Sequence, residues 1–185
     1  IKNKEGSYLG QDISQFINRE LIGYSVASLF RAIPSEYDGL KESQRKALFG
    51  VLKKFNYNYS SKNKTLKVEV IANEIAANVE YHHGSKNLAD TNMGYFAKKG
   101  MFGSRECGGQ YSAAARYSKI QLNWWVPLVF YKESVELVEK RSVDGNIAEP
   151  YWLPAVIPMG LVNKMEGIAT GFSTFLPGHN PLDLI

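Results

Sequence analysis

Apolar side chains at Val68, Ile71, Ala72, Ile75, Ala76 and Val79 recur at the three- and four-residue spacing of a helix with one buried face. This is the clearest period in the chain. A second stripe precedes it, Ala47, Leu48, Val51, Leu52 and Phe55, with Lys41, Arg45, Lys46, Lys53 and Lys54 on the opposite face. Between them the polar stretch from Asn56 to Lys64 reads as a loop. Two consecutive helices joined by a basic loop are compatible with a helix-turn-helix. Upstream, Asp12 with Gln15 three residues on forms the pattern of a capping box, and Ile13, Phe16, Ile17, Leu21 and Tyr24 share a helical face. Pro34 ends that segment because it has no backbone donor. The turn at Asp38-Gly39 then feeds the second helix.

Composition sets the class. A chain of 185 residues is enough for one domain, or for one domain and part of another. A hydrophobic share of 44% with 22% charge belongs to a folded globular protein rather than a disordered tail. The net charge of +4 fits an anionic partner. A single cysteine, Cys107, excludes an internal disulfide framework and accords with a reducing, intracellular setting. No apolar run approaches the length of a transmembrane span. The first residues, Ile1-Lys2-Asn3-Lys4-Glu5, carry neither a start methionine nor an apolar signal region, which suggests a piece of a larger polypeptide.

The chemistry converges on Tyr117. It follows a glycine-rich loop, Gly100 to Gly109, and precedes an alternating run, Ile120, Leu122, Trp124, with the pattern of a strand. A phenol held between loop and strand, one residue from the Arg116 guanidinium, suits nucleophilic attack on a phosphodiester. The covalent ester so formed conserves the bond energy and makes the break reversible. A free phenol has a pKa of about 10 and needs help at neutral pH. The chain has 11 tyrosines, most of which serve packing, so Arg116-Tyr117 alone is a weak signal.

Other groups carry less. Adjacent His82 and His83 point in different directions on a strand or helix, and His179 is the one further histidine, so a shared metal is disfavoured. A buried imidazole bonded to backbone is the ordinary alternative. Trp124, Trp125, Val126, Leu128, Val129 and Phe130 read as core, and Asp144-Gly145 marks a hairpin-like turn.

Four blocks in fixed order add a further signal. They are Ile33-Pro34 through Asp38-Gly39-Leu40-Lys41 with Gln44-Arg45-Lys46; Tyr81-His82-His83-Gly84; Phe102-Gly103-Ser104-Arg105 leading to Ala115-Arg116-Tyr117; and Glu166-Gly167-Ile168-Ala169-Thr170-Gly171. Together they resemble the DNA-breaking core of the type IIA DNA topoisomerases, from Phe16-Ile17-Asn18 to the end of the sequence. Gly108-Gly109, Pro154 and Ile157-Pro158-Met159 favour the eukaryotic or large-DNA-virus branch. The chain departs from the family pattern at Glu42-Ser43, where Pro-Gly is usual, and at Met101, where glutamine is usual. The segment between Gly84 and Gly100 is also shorter than in the family.

The resemblance implies an α+β fold: a winged-helix-type domain over residues 1–155, with a helix-turn-helix core and small β elements, then the start of an α/β tower domain over 156–185. It implies an ATP-hydrolysing isomerase in which Tyr117 forms a transient 5′-phosphotyrosyl link to double-stranded DNA, with Arg116 stabilising the phosphoryl oxygens. Lys41, Arg45 and Lys46 become candidates for phosphate pairing that fixes register without reading sequence. His82 or His83 would lie beside the attacked phosphate, and Arg105 belongs with this supporting group. Ile168, otherwise an ordinary core isoleucine, falls where the family has a DNA-intercalating wedge. Mg²⁺ and ATP would be bound by TOPRIM and ATPase regions that these residues do not contain, so the fragment alone is expected not to cut. The partners implied are duplex DNA, the second copy in a homodimer and those regions, with no membrane. The setting implied is the nucleus, or a cytoplasmic replication site for a virus. Two alternatives stand beside this reading: an architectural DNA-bending module without chemistry, and a module whose aromatic residues engage a protein partner.

Overall fold

The computed structural model describes residues 10, 12–60, 65–79, 94–104, 111–143 and 145–185. It opens on a helical run: α1 (Ile13–Gln15) passes through a π-helical stretch, Phe16–Leu21, into α2 (Ile22–Ala32). Asp12 takes the extended backbone of an N-cap, but its carboxylate makes no capping hydrogen bond, so the expected capping box does not form. The apolar face is present and turned outward, with Ile13, Phe16, Ile17 and Tyr24 all exposed. At the other end Ile33 is extended (φ −87°, ψ 128°), as a residue before proline tends to be, and α2 stops at Ala32.

A tight turn follows. Gly39 donates to Ser35 O at 2.8 Å and holds φ +69°, a conformation that costs a glycine little. α3 (Glu42–Lys54) then begins without the family's Pro-Gly. Gln44 Oε1 accepts the Lys41 backbone N–H at 3.0 Å, and Glu42 places a carboxylate near the positive end of the helix. Ala47, Leu48, Val51 and Leu52 are buried as their spacing requires.

β1 (Leu66–Lys67) leads directly into α4 (Val68–Val79), whose Val68, Ile71, Ala72 and Ile75 are buried while Ala76 is exposed. α3 and α4 approach so closely that a methyl group on Gly50 would overlap Ile75 Cγ1. β2 (Phe96–Lys99) and β3 (Lys119–Leu122) complete an antiparallel sheet in the order β1-β3-β2. Leu66 pairs with Ile120, and Phe96 with Leu122, giving the sheet a core-facing side. The register also aligns Lys67, Lys119 and Lys99 on the other side. The strand stops before Trp124, which is exposed, because Asn123 turns the chain: its Oδ1 accepts the Trp124 N–H and its O accepts the Val126 N–H.

α5 (Val126–Val129) and α6 (Lys132–Leu137) precede a hairpin of β4 (Lys140–Val143) and β5 (Asn146–Pro150), with Gly145 at φ +83° in its turn. Of the apolar stretch before it, Val126 and Phe130 are core, whereas Leu128 is exposed. α7 (Met159–Val162) leads to a second hairpin of β6 (Met165–Ala169) and β7 (Phe172–Leu176), and a 3₁₀ turn, Pro181–Asp183, follows.

Two glycine contacts hold this last part against the first. Gly160, whose added Cβ would stand 3.1 Å from Gly39 Cα, fits against the turn before α3. Gly167 fits against the end of α2, where an added Cβ would overlap Ala32 O and stand 2.8 Å from Pro34 Cδ. The mixed helix-and-sheet architecture is the α+β class expected from the sequence.

Candidate functional site

Tyr117 sits where the loop returns to the sheet. Ala113 N donates to Met101 O at 2.8 Å, Phe102 and Ser112 form an isolated antiparallel bridge, and Tyr117 N donates to Ala114 O at 2.9 Å. Beneath it, the missing side chain of Gly100 makes room for the backbone: a Cβ there would stand 3.3 Å from Tyr117 O and 3.4 Å from Ser118 Cα. Ser118 is fully buried and Tyr117 is 69% exposed, so the phenol projects into solvent from a backbone fixed on its inner side. The Arg116 guanidinium lies over the Tyr117 ring, 4.9 Å from its centroid, and is itself exposed. A cation–π contact of this kind is worth about 0.5–1 kcal/mol at an exposed site. It holds a delocalised cation beside the phenol while leaving the hydroxyl open.

Lys41, Arg45 and Lys46, at the start of α3, stand in three different surroundings. Lys41, at the helix start, has no ion-pair partner among the described residues and faces the β6–β7 hairpin. The Glu166 carboxyl there is held below its usual range, first by the hydrogen bond and charge of Lys164, 2.9 Å away, and less by Lys41. Arg45 is different. Its Nε meets Asp38 Oδ2 at 2.6 Å, and its Nη2 reaches Asp38 Oδ1 and Leu40 O, each at 2.9 Å. Asp38 also accepts from the backbone N–H groups of Leu40 and Leu153. Three of the five guanidinium N–H donors are engaged in this way and the side chain is almost withdrawn from water, so Arg45 ties the turn to the helix start. Lys46 lies within a cluster, 3.4 Å from Glu42 and 3.8 Å from Glu149, with Arg141 bridging the same carboxylates at 3.1 and 3.5 Å. Its charge too is committed to the fold.

Ile168 is 77% exposed at the middle of β6. The pairs Ile168–Ser173 and Glu166–Phe175 place these four side chains on the outer face of the hairpin. The inner face, through Gly167, rests on Ala32 and Pro34. An isoleucine so exposed on a two-stranded ribbon does not serve the core.

His82, His83 and Arg105 lie outside the described residues, as do Cys107 and Gly108-Gly109. Among the described residues, no group of three or more His, Cys, Asp or Glu side chains could hold a metal ion. No helix among them is long and apolar enough to cross a membrane.

Sequence reasoning missed three features. Asp38 looked like a turn residue; that it closes on Arg45 and Leu153 depends on a contact 115 residues away in sequence. Glu149, which nothing in the sequence singled out, is fully buried. The alignment of Lys67, Lys119 and Lys99 depends on strand register, of which the sequence offered only the alternation within β3.

With this geometry established, a family model for the DNA gyrase/topoisomerase IV A-chain family matches residues 31–185. The chain belongs to that family. Within it, the chain is similar to DNA topoisomerase 2 of Saccharomyces cerevisiae, 40% identical over 185 aligned positions that cover 94% of this chain and 12% of that protein. DNA topoisomerase 2 of Acanthamoeba polyphaga mimivirus is 34% identical, with 92% of this chain and 14% of that protein covered. The solved DNA-binding, cleavage and re-ligation domain of Plasmodium falciparum topoisomerase II superposes with a TM-score of 0.79 at 33% identity, covering 97% of this chain and 26% of that one. The chain therefore spans about an eighth of the length of the curated relatives it matches.

Proposed function

We propose that this chain is the strand-breaking part of a type II DNA topoisomerase and that Tyr117 is its nucleophile. The Tyr117 oxygen bonds to phosphorus and the bond from phosphorus to the neighbouring 3′ oxygen breaks. The 5′ phosphate stays on the protein, and the 3′ oxygen leaves as a hydroxyl after gaining a proton. Return attack by that hydroxyl reseals the strand. Arg116 stabilises charge on the non-bridging oxygens, and His82 and His83 are the candidates for moving the phenol proton. In a homodimer each protomer opens one strand. The α3–α4 pair with the sheet β1-β3-β2 corresponds to the winged-helix-type domain, through about residue 155, and residues 156–185 begin the tower. Mg²⁺ and ATP belong, in this reading, to TOPRIM and ATPase regions beyond these residues. The enzyme would work in the nucleus, or at a cytoplasmic replication site for a virus.

The observation that carries this reading is the exposed Tyr117 phenol, set on a backbone fixed by Gly100 and Ser118 and flanked by the Arg116 guanidinium. The test incubates the full-length enzyme with supercoiled DNA and Mg²⁺, stops the reaction with denaturant and isolates protein joined to 5′ ends. Tyr117→Phe should remove the adduct and leave duplex affinity unchanged, because only the nucleophilic oxygen is lost. Adduct persisting in that variant would assign the chemistry to another tyrosine. Absence of adduct in the unsubstituted enzyme, with DNA bending retained, would favour a purely architectural module.

A further inference from the structure

Cross-strand register builds a row of like charge beside Tyr117. Lys119 at the start of β3 pairs with Lys67 of β1 on one side and Lys99 of β2 on the other, so three lysines lie abreast across the sheet. Residues directly opposite in an antiparallel pair project from the same face. The neighbouring positions Leu66, Ile120, Phe96 and Leu122 point to the core side, which leaves the lysine face to solvent. All three lysines are exposed, and none has an ion-pair partner among the described residues. The row passes beside the tyrosine: Lys119, its middle member, follows Tyr117 by two residues, a reach of at most roughly 7 Å. Lys99 precedes Gly100, which packs on Tyr117 O and Ser118 Cα.

Like charges directly opposite one another weaken a sheet. Two such pairs in adjacent ladders are a standing cost that an anion lying across the strands would remove. Strands stand about 4.8 Å apart, so the row spans roughly 10 Å. One DNA strand carries one phosphate per about 3.4 Å of axis and winds around that axis as it rises, so a row of this span meets about two or three phosphates. We infer that Lys67, Lys119 and Lys99 form a phosphate-binding ladder that holds one strand of duplex DNA beside the bond attacked by Tyr117. The ladder fixes the backbone without reading bases, since an ammonium on a flexible stem meets phosphate as a point charge. This inference rests on the strand-breaking reading above, but its test separates the two.

The experiment measures binding of a short duplex to the full-length enzyme across a range of salt concentrations. Replacing the three lysines with glutamine should reduce the slope of log affinity against log salt by about 2 to 3, at about 0.9 per lost phosphate contact. Replacing them with arginine should restore the slope. A control carrying Lys53→Gln, Lys54→Gln and Lys132→Gln removes the same formal charge elsewhere and should leave the slope nearly unchanged. Relief of the like-charge pairs means that the glutamine variant should melt no lower than the unsubstituted enzyme, so a lost slope cannot be put down to unfolding. An unchanged slope in the ladder variant, or an equal loss in the control, would overturn the ladder while Tyr117 adducts left the strand-breaking reading intact. No adduct from the unsubstituted enzyme would remove both.

Discussion

Arg45 Nε lies 2.6 Å from Asp38 Oδ2, and both side chains are withdrawn from water. Through this pair the helix start, the turn before it and the backbone at Leu153 are tied to one carboxylate. Removing one partner strands a buried charge. Arg45→Ala should lower the unfolding free energy by about 3–5 kcal/mol, read from denaturant titration, and leave the salt slope of DNA binding unchanged where the protein is folded. Lys41→Ala should do the reverse, with little effect on stability and a slope reduced by about 0.9. If Arg45→Ala instead lowered the slope with stability intact, Arg45 would be a phosphate ligand after all.

The Arg116 guanidinium stands over the Tyr117 ring, 4.9 Å from its centroid. Arg116→Lys keeps the charge but loses the planar fork and the stacking that orients it. Cleavage should slow by about ten- to a thousandfold, on the scale of losing one transition-state donor, with duplex affinity almost unchanged. Single-turnover cleavage and equilibrium binding on the same enzyme separate the two effects. Parallel losses in both would make Arg116 a simple anchor.

Gly167 and Ile168 make a paired prediction, since one fixes the hairpin and the other projects from it. A methyl group at Gly167 would overlap Ala32 O, so Gly167→Ala should push β6 away from α2 at a cost of about 1–3 kcal/mol. It should reduce DNA bending, measured by energy transfer between labelled duplex ends. Ile168→Ala should reduce bending and cleavage without lowering the melting temperature, because its side chain faces out. A large loss of thermal stability in Ile168→Ala with normal bending would return that residue to a packing role.

Glu149 is buried, and desolvation pushes its carboxyl above the ordinary range against the opposing pull of backbone hydrogen bonding, Lys46 and Arg141; Glu42 adds to the rise. The folded state therefore holds this proton more tightly than the unfolded chain. Stability from this group is present at low pH and falls as pH rises from the ordinary carboxylate value through the raised one. Glu149→Gln should abolish that fall, so the stability of the variant relative to the unsubstituted chain should increase with pH over that window. Chemical denaturation at a series of pH values reads the difference directly. A difference that shrank as pH rose would mean that Lys46 and Arg141 outweigh burial.

The sequence by itself determined whatever depends on near neighbours. Helix period placed the buried faces of α3 and α4, Pro34 set the end of α2, and Asp144-Gly145 marked the β4–β5 hairpin, because each acts within a turn or two of chain. The pair Arg116-Tyr117 was legible for the same reason: loop, tyrosine and strand follow one another directly. Tertiary structure decided the rest. Lys41, Arg45 and Lys46 look alike as cations on one helix, yet Asp38 and Glu149 claim two of them, and which lysine or arginine meets a carboxylate is fixed by packing over long separations. The same holds for the outward face of α1 and α2, where the periodicity was correct but no partner in the described chain covers it. Strand register, too, exists only between strands, so the row Lys67, Lys119, Lys99 forms when the sheet closes and a shift of one residue would dissolve it.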